Sequence, residues 1–203
     1  MRYDEVYKKI LESNYYVFSF EDISSFWPEE KRSSIKQALS RWKADGRIGG
    51  LRRGLYELKY PASQNLPDMY LANRMYAPSY VSMETALSHY SLIPDVAMAV
   101  VSITPRQTKQ YKNEHGLFKY HTVRPKAFNG YVIEKQSGYD VFIAEPEKAL
   151  ADYVYFKSFG GRVFNFKESR LDEKRVRKLN QSKLKGYFDV FNLDVKETLN
   201  DYL

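Results

Sequence analysis

The chain has 203 residues, carries 32 Lys and Arg against 25 Asp and Glu for a formal charge of +7, and contains no cysteine. Disulfides and thiolate metal sites are excluded, and the positive balance favours polyanionic partners. No stretch approaches the ~18 consecutive apolar residues that cross a bilayer, and Met1-Arg2-Tyr3-Asp4-Glu5 lacks the apolar run of a signal peptide, so a cytoplasmic chain without a membrane partner is expected.

Taken in order, Val6, Ile10 and Leu11 recur at helical spacing between Tyr3 and Glu12, with Asp4 and Glu5 in the first turn, and predict a first helix. Tyr15-Tyr16-Val17-Phe18 is a short β-prone run. Ser19 then caps a second helix, because Asp22 follows three residues later as a capping box requires. That helix ends near Trp27-Pro28.

A third helix is expected from Pro28 to Ala44. Pro28 suits a first helical turn, Glu29 and Glu30 suit the positive end of the dipole, and Gly46 is the stop. Ile35, Leu39 and Trp42 share one apolar face. The other face presents Ser33, Lys36, Gln37, Ser40 and Arg41, the donor-rich set with which a recognition helix reads bases. After Gly46, apolar residues around Gly49-Gly50 and Arg52-Arg53-Gly54 predict a β-hairpin with a basic tip. Helix, strand, helix, turn, helix and hairpin form a winged helix-turn-helix. From Lys31 to Arg53 the cations Lys31, Arg32, Lys36, Arg41, Lys43, Arg47, Arg52 and Arg53 face Asp45 alone. An ordinary solvated helix face mixes signs, since i,i+4 pairs stabilise it. The one-sided charge points to double-stranded DNA.

Pro61 to Pro67 reads as a linker and Asp68 to Met75 as a bridging helix. This divides the chain into a DNA-binding domain over 1–60, a linker with bridging helix over 61–76, and a mixed α/β domain with a helical C-terminal end over 77–203. The fold class is therefore α+β. In the second domain Ser82 is expected to cap a helix over Met83 to Tyr90. Val96 to Thr104 reads as a buried strand, and Leu117 to Val123 as a half-buried one. Tyr131-Val132-Ile133 and Val141 to Ala144 form a hairpin around Gln136-Ser137-Gly138, and Pro146 opens a helix through Val154. Further helices are expected near Leu171 to Leu179, Ser182 to Phe191 and Asp194 to Tyr202.

Several of these pieces form an ordered set. Tyr80-Val81-Ser82-Met83-Glu84-Thr85-Ala86-Leu87-Ser88-His89-Tyr90-Ser91-Leu92-Ile93-Pro94, Ser102 to Arg106, Phe118 to Pro125, Phe128-Asn129-Gly130-Tyr131 and Ile143-Ala144-Glu145-Pro146-Glu147-Lys148-Ala149-Leu150-Ala151-Asp152 resemble, in order and spacing, the AbiEi-type antitoxin domain. The winged half with Arg53-Gly54-Leu55-Tyr56 is similar to that family's N-terminal half. The resemblance implies a bacterial transcriptional repressor of its own operon that is also the antitoxin of a type IV toxin–antitoxin, or abortive-infection, system. Its implied partners are its own operator, a nucleotidyltransferase-like toxin, and a second copy of the chain on DNA. The final forty residues lie outside the resemblance; a helical cap, a dimer surface and a toxin-facing patch remain alternatives for them.

The DNA-binding set expected is Lys31, Arg32, Ser33, Lys36, Gln37, Ser40, Arg41, Lys43, Arg47, Arg52 and Arg53. Lys31, Arg32, Lys43, Arg52 and Arg53 are assigned to phosphates, and Ser33, Lys36, Gln37 and Arg41 to bases. No catalytic constellation, cofactor motif or metal-ligand spacing is evident. His89, His115 and His121 fall on separate elements, and Glu145 and Glu147 flank Pro146, where the helix dipole explains them. An antitoxin acting mainly by protein contact, and a winged-helix regulator unrelated to a toxin, are the competing readings.

Overall fold

The computed structural model describes residues 1–61, 65–94, 98–160 and 163–199. The described chain is mixed α+β with two separate sheets, and it divides into two compact units. Met1–Leu66 together with Lys112–His115 form the first; Pro67–Tyr111 and Gly116–Leu203 form the second.

In the first unit α1 (Tyr3–Glu12) is followed by β1 (Val17–Ser19), α2 (Phe20–Phe26), α3 (Arg32–Ala44), β2 (Ile48–Arg52) and β3 (Leu55–Leu58). The strands form an antiparallel sheet of order β1-β3-β2. Ser19 caps α2 as expected: its hydroxyl accepts the Asp22 N–H at 3.1 Å, and the Asp22 carboxylate accepts the Ser19 N–H at 2.6 Å. Pro28 does not open α3. That helix begins at Arg32 with no acidic residue in its first turn, and Glu30 instead pairs with the N-terminal amine of Met1 at 2.5 Å. Pro28 sits in the connection because α2 runs only to Phe26, and the next residue, Trp27, has left helical geometry. Ile35, Leu39 and Trp42 are at most 2% exposed and pack with Val6, Ile10 and Ile23 in one core. Burial of such side chains stabilises by about 1.5–3 kcal/mol each, which fixes the rotation of α3 about its axis.

Of the expected linker at Pro61 to Pro67, residues 62–64 lie outside the described set. The second unit opens with α4 (Asp68–Met75), the expected bridging helix. Leu71, Ala72 and Met75 are fully buried, and Asn73 bonds the main chain of Phe142 in both directions, as donor at 3.2 Å and acceptor at 2.8 Å. It is thus a core element of that unit and no part of a linker. Next come β4 (Tyr80–Val81), α5 (Met83–His89), β5 (Val100–Thr104), β6 (Lys109–Asn113), β7 (Gly116–Thr122), a 3-10 turn (Pro125–Ala127), β8 (Tyr131–Gln136), β9 (Tyr139–Ala144) and α6 (Pro146–Ser158). The short helices α7 (Phe166–Ser169) and α8 (Glu173–Val176) precede α9 (Gln181–Val190) and α10 (Val195–Leu199). The six-stranded sheet has the order β6-β7-β5-β4-β9-β8, with β4 beside β9 and β5 beside β7 running parallel.

The expected strand at Val96 to Thr104 is described only from Val100, residues 95–97 lying outside the described set. The expected helix at Leu171 to Leu179 is reduced to α8, and Asp194 to Tyr202 to α10 with residues 200–203 outside that set. Strand β6 is not among the expected elements, because Lys109-Gln110-Tyr111-Lys112-Asn113 is polar and lies at the edge of the sheet. The β8–β9 hairpin turns at Ser137 and Gly138, whose φ values of 49° and 87° are the pair of left-handed residues that a tight hairpin turn demands.

Ser82 does not cap α5. Its hydroxyl donates to the Asp152 carboxylate at 2.7 Å, Tyr80 donates to the same oxygen at 3.1 Å, and Lys148 bonds the other oxygen at 2.5 Å. This buried ion pair joins β4 and α5 to α6. The Lys148 ammonium also lies 4.5 Å from the Phe191 ring centroid. Burial drives the Asp152 carboxyl upward, while Lys148, Ser82 and Tyr80 oppose that shift. Glu145 and Glu147 likewise do more than complement a dipole. Glu145 accepts from Lys183 and Tyr187, and Glu147 accepts the Asn180 N–H, so the start of α6 fastens α9.

Candidate nucleic-acid interface

Helix α3 is amphipathic around its anchors. Ile35, Ala38, Leu39 and Trp42 face the core, and Lys31, Arg32, Ser33, Lys36, Gln37, Ser40, Arg41 and Lys43 are all exposed. Ser33, Lys36 and Gln37, and Ser40 and Arg41 follow one another at three- and four-residue steps, which stacks them on one face. None of this stacked set is packed inward. Ser34, also exposed, adds a hydroxyl in the first turn that the expected set lacks. The N-terminus of α3 has no side-chain cap, because Lys31 precedes it and cannot accept a backbone hydrogen bond.

The cations are not equivalent. Arg32 lies 4.4 Å from the Phe20 ring and 4.0 Å from a Glu21 carboxylate oxygen, so it leans on α2. Lys36 sits 5.8 Å from the same ring. Lys43 bends toward the hairpin: a Cβ placed on Gly50 would lie 2.9 Å from its ammonium. A side chain at that position would push the end of this flexible lysine aside. Arg47 is held differently from the exposed cations of α3. It is half-buried, stacks at 5.1 Å on Tyr3 and pairs with Asp45 at 3.9 Å. It stands at the base of the hairpin, about 17 Å along the strand from the tip. Tyr3 donates to the carbonyls of Arg47 and Tyr60, and burial pushes its hydroxyl up to about 12.

The hairpin tip is Arg53-Gly54, with Gly54 at φ 75° to reverse the chain. Leu51 and Leu55 bury beneath it, Arg53 is exposed, and Arg52 is half-buried with its guanidinium donating to the Arg53 carbonyl at 3.1 Å.

Three further residues of this unit come from far along the chain. Asn113 donates to the Leu51 carbonyl at 3.0 Å, Glu114 pairs with Lys59, and His115 lies 2.7 Å from Glu57. Glu57 is 3% exposed, and burial raises its pKa against the lowering effect of His115 and Lys59. Nothing in the sequence pairs these positions, which are more than fifty residues apart. Glu57, Glu114 and His115 could bring three ligand atoms within 4.8 Å of one another. Lys59 already neutralises Glu114, and Glu57 and His115 are bonded to each other, so the cluster is satisfied as a hydrogen-bonded brace on the hairpin.

No family model and no curated protein matches the chain. No helix among the described residues is long and apolar enough to cross a membrane.

Proposed function

We propose that the first unit is a winged helix-turn-helix that binds double-stranded DNA, with α3 in the major groove and the Arg52-Arg53 tip on the backbone or in the minor groove. The observation that carries this reading is the outward set Lys36, Gln37, Ser40 and Arg41 on a helix anchored by Ile35, Leu39 and Trp42. Long donors and an amide on one ridge match the donor and acceptor pattern of the major groove. The uncapped N-terminus of α3 adds main-chain N–H groups suited to a phosphate.

The resemblance to AbiEi-type antitoxins extends this to an autorepressor paired with a nucleotidyltransferase-like toxin. What supports the extension is that two of its longest pieces, Tyr80 to Pro94 and Ile143 to Asp152, meet in the buried set Tyr80, Ser82, Lys148 and Asp152. The purified chain should retard a duplex taken from upstream of its own coding sequence, with affinity falling steeply as salt rises. Absence of any shift, together with a stable complex with the product of the adjacent gene, would replace the DNA reading with an antitoxin acting by contact.

A further inference from the structure

The second unit holds a cavity of about 700 Å³ between β7, α5 and α6. Pockets of this size with mostly apolar walls and a few convergent polar groups are the usual seats of small molecules. Its apolar wall includes Ile93, Val101 and Phe156, with the largely exposed Met98 and Phe159 also lining it. Met83 lines it too, 4% exposed and held at φ 52°, a left-handed conformation that costs an unbranched side chain of order 1–3 kcal/mol.

Its polar groups are unevenly matched. Lys157 pairs with Glu84 at 3.0 Å, which cancels both charges. Lys119 and His121 stand two residues apart on one face of β7, and among the described residues neither side chain has a hydrogen-bond or ion-pair partner. The His121 ring rests 4.9 Å from the Phe156 ring. Burial, with Lys119 and Lys157 nearby and only Glu84 opposing, lowers the His121 pKa and favours a neutral imidazole with one N–H to give. Among the described residues the other charged liners are Glu168 and Arg170, opposite in sign, and Lys119 is paired with neither.

We propose that this cavity binds a small organic carboxylate with an apolar, ring-sized body, its head group held by Lys119 and His121 and its body against Phe156, Ile93 and Val101. The proposal does not depend on the DNA reading. The test is calorimetric titration of the full chain with 1-naphthoate and with its neutral analogue 1-naphthamide. Naphthoate should bind at least tenfold more tightly, the effect of one charge-assisted bond. Lys119→Met, which keeps the apolar stem of the lysine, should abolish that preference while leaving the thermal melt and the naphthamide affinity unchanged. In two-dimensional NMR the His121 ring signals, identified by His121→Gln, should move with naphthoate, and those of His89 and His115 should stay. Equal affinity for the two probes, an unaltered preference in Lys119→Met, or no binding of either at millimolar concentration would each overturn the proposal.

Discussion

The Lys148 ammonium lies 2.5 Å from an Asp152 carboxylate oxygen one helical turn away, and both side chains are at most 1% exposed. A pair so placed gives little net stability against an apolar replacement, yet removing one partner strands the other charge in the core. Asp152→Asn or Lys148→Met should therefore lower the unfolding free energy by about 3–5 kcal/mol. Urea denaturation followed by circular dichroism measures this directly. A loss below ~1 kcal/mol, the scale of an exposed pair, would mean that water reaches the site.

The two kinds of DNA contact proposed for α3 and the hairpin make different demands. Arg53→Ala, and Arg52→Ala beside it, should weaken binding to all duplexes alike and lower the salt slope by about one for each phosphate no longer neutralised. Gln37→Ala or Lys36→Ala should instead relax preference at a base position, at about 1–3 kcal/mol per good base pairing. Anisotropy titrations on operator and scrambled duplexes at several salt concentrations separate the two. Arg47→Ala serves as the internal contrast, since its guanidinium lies on Tyr3 and should affect stability before DNA. If all these variants behave alike, the division is mistaken.

Gly130 precedes β8 with φ 72°, and a Cβ there would lie 2.6 Å from the Tyr187 ring. Its carbonyl also accepts the Glu145 N–H at 2.9 Å. Gly130→Ala should displace Tyr187, loosen its hydroxyl bond to Glu145 and cost more than ~1 kcal/mol. A lowered melting temperature with altered near-ultraviolet dichroism is the expected result. Unchanged stability would show that Tyr187 can move aside freely.

Acid should undo the fastening of α9. The Lys183 ammonium, and after it the Tyr187 hydroxyl, hold the Glu145 carboxyl below its ordinary value of 4.5. A carboxyl whose folded pKa lies below its unfolded one contributes stability that is complete above the unfolded value and disappears as pH falls through the folded one. Melting temperature should thus fall on acidification through the carboxylate range, and Glu145→Gln should flatten part of that fall. A profile identical to that of the parent protein would show that Glu145 plays no part in it.

Much of this molecule is legible in its sequence because local rules govern it. Ser19 and Asp22 three residues apart make a capping box, Ile35, Leu39 and Trp42 make one buried stripe, and Ser137-Gly138 makes a tight turn. In each case the partners lie within a few residues, where backbone geometry alone dictates who meets whom. The start of α3 is not legible in this way, because Pro28 and Glu30 fit a helix locally and only the distant N-terminal amine claims Glu30. Ser82 suits a helix cap by the same local rule, and nothing near it shows that Asp152 waits seventy positions on.

What the sequence by itself determined is the order of most of the helices and strands, the polar edge strand β6 and the short α7 apart, and the one-signed basic ridge, all properties of neighbouring residues. Only the tertiary structure decided that Arg47 turns to Tyr3, that Asn113 and His115 brace a hairpin from another part of the chain, and that Lys119 and His121 face a cavity. Side-chain periodicity tells which face is buried, but not what covers it. That answer rests on packing between residues whose separation along the chain carries no local signal.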